Sequence, residues 1–363
     1  MTSISEPSQP WLPYHVSRRD ERMVGVWLFV VSAFVLAMVL VGGLTRLTDS
    51  GLSITEWKPL LGAIPPLNSA DWAEAFLKYK QIPEYQIVNK GMSLEEFKFI
   101  YWWEWGHRFL GRIVGFVFLL PFIFFVATRR LTRDFIVPVS ALFLFGGMQG
   151  FMGWYMVQSG LSERVDVSQY RLAAHFGLAL IIFSWSFWLG LSHWKGTAIR
   201  PETGRQVSFA GMLTLFIFLQ CLLGALVAGT KAGLSYNTWP LMDGDFIPDG
   251  LIEPGTSILI NVLENLTTIQ FNHRMTAYIL LALVLFEFVR RYRTAPGSAE
   301  TKSARNLFAI VCLQAGVGIA TLLYMVPISL GALHQVMAVI VLGFGVFHLH
   351  RLRFPIRVSN NIE

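Results

Sequence analysis

The sequence predicts an all-α polytopic membrane protein, with eight transmembrane helices arranged as two parallel, pseudo-symmetric four-helix bundles. Three observations carry that expectation. Of 363 residues, 54% are hydrophobic and only 14% are charged, which is too apolar for an ordinary soluble domain. The apolar residues collect into eight runs of about 20, the length that crosses a hydrocarbon layer as a helix. Short motifs then recur in the same order in the two halves of the chain.

The runs lie near 24–47, 107–127, 135–158, 171–193, 208–230, 269–289, 306–326 and 328–349. Eight crossings return both termini to one side. Arg18, Arg19 and Arg22 precede the first run. Arg129, Arg130 and Arg133 follow the second, and Lys195, Arg200 and Arg205 the fourth. Arg290, Arg291, Arg293, Lys302 and Arg305 follow the sixth, and Arg351, Arg353 and Arg357 the last. The positive-inside rule makes all these segments, and both termini, cytoplasmic. The formal charge of +6 therefore reflects topology and not a nucleic-acid partner.

The long connections, 48–104 and 231–268, fall on the opposite side and carry Asp71, Glu74, Glu95, Asp243, Asp245 and Asp249. In the first of them Ser93 to Glu96 reads as a capping box that starts a helix through "FKFIYWWEW" into the second run. Its tryptophans suit a headgroup belt. The first 22 residues show neither a signal peptide nor a transit peptide, which fits a bacterial inner membrane with the long loops in the periplasm. Cys221 and Cys312 sit singly inside apolar runs, so no disulfide framework or cysteine zinc site is expected.

The repeat begins with the long loops: "TDSGLSITEW" at 48–57 matches "TKAGLSYNTW" at 230–239. His-Arg at 107–108 matches His-Arg at 273–274, "QGFMG" at 149–153 matches "QAGVG" at 314–318, and "RLAAHFG" at 171–177 parallels "LGALHQV" at 330–336. Two halves, 1–200 and 201–363, are expected, each beginning and ending inside, related by an axis along the membrane normal.

Four of eight histidines belong to this repeat: His107 and His175 in the first half, His273 and His334 in the second. Each lies just inside the outer end of an even-numbered run, where an ionisable group is costly and tends to be functional. Facing imidazoles in a helix bundle can fill both axial positions of a haem iron, whereas zinc usually recruits Cys or carboxylate as well. Two bis-histidine haem sites are the preferred reading. His193, His348 and His350, at the inner ends, and His15 in the tail are assigned to surface or interface roles.

Arg108 and Arg274 each point about 100° around the helix from the preceding histidine, toward haem propionates or toward headgroups. Arg46, Arg112 and Arg171 carry the same two readings. Glu104 precedes His107 by one turn on the same helix face, and Gln270 takes its place in the second half. A carboxylate moves protons or stabilises positive charge and an amide does not ionise, so the pair suggests one reactive and one electron-relay site.

These residues resemble the heme A synthase family. The resemblance runs from "GGLTRLTDSGLSITEWKPLLGAIPP" through "EWGHRFLGR", "RLAAHFGLAL", "GLSYNTWPLMDG" and "FNHRMTAYI" to "GALHQVMAV". It implies an enzyme of cytochrome oxidase assembly that oxidises the C8 methyl of heme O to the formyl of heme A by successive hydroxylation through a geminal diol. It further implies His107 and His175 as ligands of heme O, Glu104 as their catalytic neighbour, and His273 and His334 as ligands of a heme b cofactor. The farnesyltransferase that makes heme O is the implied supplier, with an electron acceptor or donor unidentified. Some members carry a cysteine pair in the first outer loop, and residues 48–104 contain none. The rivals are a dihaem membrane electron-transfer cytochrome, which would use the same four histidines, and a transporter, which would concentrate its polar residues nearer the midplane.

Overall fold

The structure, a computed structural model, describes residues 16–58, 61–162, 164–195 and 204–354. His15, Arg200 and Arg357, and the boundary at 200/201, lie outside the described residues. The described chain is helical: α1 Arg18–Leu47, α2 Ser69–Tyr79, α3 Pro83–Ile87, α4 Leu94–Ala127, α5 Arg133–Ser162, α6 Gln169–Lys195, α7 Arg205–Thr230, α8 Ile258–Glu264, α9 Leu266–Thr294, α10 Ala299–Leu323 and α11 Ile328–Arg353. Seven of these, α1, α4, α5, α6, α7, α10 and α11, are long and apolar enough to cross a membrane. The protein is thus an all-α polytopic membrane protein. Helix α9, 29 residues long, is the least apolar of the long helices, because Gln270, Asn272, His273 and Arg274 sit near one end and Glu287, Arg290 and Arg291 near the other.

Helix ends follow from local chemistry. Ser93 accepts from the Glu96 backbone N–H while the Glu96 carboxylate accepts from Ser93 N, and this capping box starts α4 thirteen residues ahead of the apolar run. Asn265 accepts from the backbone of Thr267 and Thr268 at the start of α9. Ser17, Asn68, Ser257 and Ser298 cap α1, α2, α8 and α10 in the same way.

Helix α1 packs on α4 and α6, and α5 lies against α4 and α6, which closes one ring of four. Helix α7 packs on α9 and α11, and α10 lies against both of those, which closes a second. The rings meet along α1, α6, α7 and α11. Large apolar side chains on the outside, such as Phe116, Leu120, Leu144, Leu215, Phe286 and Leu313, face what a membrane would supply as lipid. With lipid as apolar as leucine, helices gain from close packing at small residues and from hydrogen bonds between them. Both appear at the α1/α6 contact. Ser32 Oγ and Ser186 Oγ are 2.8 Å apart in the buried interface. A Cβ on Gly25 would stand 3.1 Å from Trp194 N and 3.2 Å from Gly190 O.

The two long connections lie at one end of the bundle, tied by Lys231, which reaches Asp49 at 3.6 Å and Asp166 at 3.2 Å. At the other end His193, His348 and His350 are buried between helices. His348 Nδ1 is 2.8 Å from Ser303 Oγ on α10, and its Nε2 is 3.3 Å from Glu287 on α9, which also pairs with Arg290 and Arg291. His350 meets Ser192 of α6 at 3.1 Å, and His193 is 5% exposed. Cys221 is buried, Cys312 is exposed, and both thiols are free.

Replacing Gly25 by Leu forces α1 and α6 apart against backbone atoms that have no other place to go. The expected cost is about 1–3 kcal/mol, read as a lower thermal unfolding midpoint in detergent. Gly147→Leu on α5, where a Cβ meets nothing within 4 Å, is expected to leave the midpoint unchanged.

Candidate functional site

The loop end of α4 gathers the first group of polar residues. The Glu104 carboxylate, 3% exposed, accepts from Ser53 Oγ and Ile54 N, both at 2.8 Å, through one oxygen. Its other oxygen accepts from Arg108 Nε at 3.1 Å and Nη2 at 2.6 Å. Arg108 also donates to the carbonyls of Ile54 at 2.8 Å and Glu56 at 3.1 Å. On α9 the arrangement recurs with one change. Arg274 donates to the carbonyls of Tyr236 at 2.8 Å and Thr238 at 2.9 Å, the residues that match 54 and 56 in the repeated loop motif. Gln270 donates to Tyr236 O at 3.0 Å, and its own oxygen is buried without a partner. Both arginines therefore clamp a loop onto the helix that bears their histidine. Arg46 donates to Ala228 O, Arg112 to Lys58 O at 3.2 Å and Arg171 to Tyr155 O at 2.6 Å.

Each ring carries two of the four repeat histidines, and in the second ring the two come together, which spacing alone had left open. His273 and His334 have ring centroids 6.4 Å apart and planes at 88°. His107 and His175 stand on α4 and α6 of the first ring. Among the described residues no three His, Cys, Asp or Glu side chains converge as a metal-binding group.

Each imidazole rests on a glycine of the neighbouring helix. A Cβ on Gly42 of α1 would stand 3.0 Å from His107 Nε2, and one on Gly153 of α5 would stand 3.1 Å from His175 Cε1. In the second ring Gly224 of α7 lies equally close to His273 at 3.1 Å, and Gly318 of α10 to His334 at 2.7 Å. Next to Gly42, a Cβ on Gly43 would overlap the amide of Gln335, the residue after His334, which donates to Val39 O at 3.1 Å. Glutamines add a second contact: Gln149 donates to His175 O at 3.1 Å, Gln220 to His273 O at 2.9 Å and Gln314 to His334 O at 3.0 Å. Neither these glycines nor these glutamines stood out in the sequence as site residues. The signal was present, since Gln149 and Gly153 open and close "QGFMG", as Gln314 and Gly318 do "QAGVG".

Over the first ring, the loop helices α2 and α3 bury a further carboxylate. Glu84 accepts from Tyr79 OH at 3.0 Å, and Tyr79 in turn accepts from Asn89 at 2.7 Å. Burial, reinforced by the negative charges of Glu104, Asp49 and Asp166, pushes the Glu84 carboxyl up to about 8 against the opposing hydrogen bond from Tyr79.

Fold and site define a class: a polytopic helical membrane protein that presents two histidine pairs, each seated on glycine, beneath two clamped loops. The model of the cytochrome oxidase assembly protein family matches residues 25–346. A heme A synthase of Parvibaculum lavamentivorans is 54% identical over 333 residues, 92% of this chain and 95% of that one. Those of Chelativorans sp. and Agrobacterium fabrum are 51% and 52% identical, over 96% and 91% of this chain and 95% and 90% of theirs. The chain belongs to this cytochrome oxidase assembly family, among the heme A synthases.

The folded protein holds a proton on Glu84 that an unfolded chain releases above its ordinary value of 4.5. Stability contributed by this carboxyl is therefore expected to fall as pH rises from about 4.5 to about 8 and to level off above. The unfolding midpoint of Glu84→Gln, measured in detergent from pH 5 to 9, should decline less over that window than the wild-type midpoint.

Proposed function

We propose that this protein is a heme A synthase that oxidises the C8 methyl of heme O to the formyl of heme A for cytochrome oxidase assembly. Residues 1–200 form the bundle that holds heme O between His107 and His175. Residues 201–363 form the bundle that holds heme b between His273 and His334. The observation that carries this reading is the exchange at one matched position of the two sites, Glu104 in one and Gln270 in the other.

The residues suit haem. With metal–nitrogen bonds of about 2 Å and imidazole nitrogens roughly 1 Å from the ring centre, two axial imidazoles place their centroids roughly 6 Å apart. The 6.4 Å between His273 and His334 agrees with that separation. When bound, heme b supplies a one-electron acceptor beside the substrate site.

Ser53, the Ile54 N–H and Arg108 occupy both oxygens of the Glu104 side chain. That geometry favours a fixed negative charge, one turn from His107, that stabilises positive charge developing on the substrate carbon. Arg108 already directs four of its five donors to Glu104 and the loop carbonyls. Arg274 keeps a buried, unpartnered Nε, which supports it as a propionate contact in the second site. Helix α9 is the eighth crossing, packed between α7 and α10. Both termini and the arginine-rich turns face the cytoplasm of a bacterial inner membrane. Heme O comes from the farnesyltransferase that makes it, and a redox partner in the membrane takes the electrons.

Haem extraction and chromatography of the purified protein, expressed with and without a heme O synthase, tests the reading. Heme A is expected only with that synthase, beside retained heme b; heme b alone in cells that contain heme O would assign the protein to the dihaem electron-transfer cytochromes. Glu104→Gln is expected to keep its haem and to lower heme A formation about 10²-fold or more. Undiminished heme A in that variant would remove Glu104 from the chemistry.

A further inference from the structure

Three of the four repeat histidines are supported by a glutamine and the fourth is not. The Gln149 amide nitrogen is 3.3 Å from both ring nitrogens of His175. Gln220 Nε2 is 3.1 Å from His273 Nδ1. Gln314 Oε1 and His334 Nδ1 are both buried without a partner, on side chains already joined through the Gln314 N–H and the His334 carbonyl. Among the described residues His107 makes no side-chain hydrogen bond, and its ring lies against Gly42 of α1.

The difference has a source in the repeat. Gln220 occupies the α7 position that Met38 occupies on α1, four residues before Gly224 and Gly42 respectively. Thr276, which donates to Gln220 Oε1, occupies the α9 position that Leu110 occupies on α4, three residues after the histidine. A polar pair beside His273 is thus exchanged for an apolar pair beside His107, and Met38 Cε packs toward Gly111 on the α4 side.

An imidazole that binds metal through one nitrogen carries a proton on the other, and a partner for that N–H fixes the ring and strengthens the ligand. A glutamine amide offers an oxygen for the purpose after a half-turn about its last torsion. In that orientation the Gln220 nitrogen leaves the His273 carbonyl and donates to the Thr276 hydroxyl, whose own proton goes to the Asn272 carbonyl at 2.6 Å. Met38 and Leu110 offer His107 nothing comparable.

We propose that Gln149, Gln220 and Gln314 are positioning residues for three haem ligands, and that the Met38–Leu110 pair leaves His107 the weakly held one, through which the first site releases its product haem. The inference rests on the reading of the first site as the substrate site and the second as the cofactor site. A cofactor must stay and a product must leave, and the protein sets the two lifetimes with one polar pair.

Reciprocal transplants in the full-length protein test it: Gln220→Met with Thr276→Leu, and Met38→Gln with Leu110→Thr. Each pair is native at the matching position of the other half. Haem loss to excess apomyoglobin is followed by absorbance, the haem remaining is typed by chromatography, and low-temperature electron paramagnetic resonance reports the axial ligands. The first transplant is expected to speed loss of heme b about tenfold or more, and the second to slow loss from the first site by a similar factor. Both should alter the low-spin signal of the site they touch. Unchanged loss rates and signals in both transplants would overturn the proposal. Wild-type protein that purifies with no haem would instead overturn the proposed function beneath it.

Discussion

The seating of an imidazole on the backbone of the next helix sets the spacing on which the rest of the fold depends. A glycine at each of four helix contacts lets the histidine ring approach closely, where an added Cβ would meet the ring at 2.7–3.1 Å. The distance between α1 and α4, α5 and α6, α7 and α9, and α10 and α11 at the loop end follows from it. Once the helices stand that close, polar groups in an apolar surrounding must find partners on one another. The glutamine contacts with histidine carbonyls and the arginine contacts with loop carbonyls are those partners.

Within this shared frame the halves diverge by a few substitutions of kind. Glutamate against glutamine changes which loop atom is held: Glu104 takes the Ile54 N–H, and Gln270 gives to the Tyr236 carbonyl. The first half also covers its site with α2, α3 and an aromatic cluster around Phe76, Tyr79, Phe97 and Tyr101, whereas α8 is the only helix of α-type in the second loop. At the opposite end the asymmetry reverses. The second half buries Glu287 among Arg290, Arg291 and His348, and the first half carries Pro121 at the position matching that glutamate.

Much of this was legible in the sequence. Length and apolarity determine spans, so α1, α5, α6, α7, α10 and α11 were readable to within several residues. The capping box at Ser93 announced the early start of α4. The four histidines and Glu104 were visible because ionisable groups are rare in apolar runs. What escaped were roles that depend on a neighbour from another helix. A glycine in a helix is a blank until the opposite ring is known, and an arginine beside a histidine has a fixed angle but no fixed target. Arg108 and Arg274 turn onto loop carbonyls because the repeated loops fold back within reach. His348 and His350, read as surface or interface residues, are interior because Ser303, Glu287 and Ser192 face them from three other helices.

Gly42 and Gly43 are consecutive, and they serve different rings: one seats His107, the other receives Gln335 beside His334. One helix turn of α1 is thus common property of both bundles. Cutting the chain between the two rings would therefore leave each without a contact that the other supplies. The second half alone would lack the wall against which its last helix is registered, and the first alone would lose the amide that fills the notch at Gly43 and caps the Val39 carbonyl.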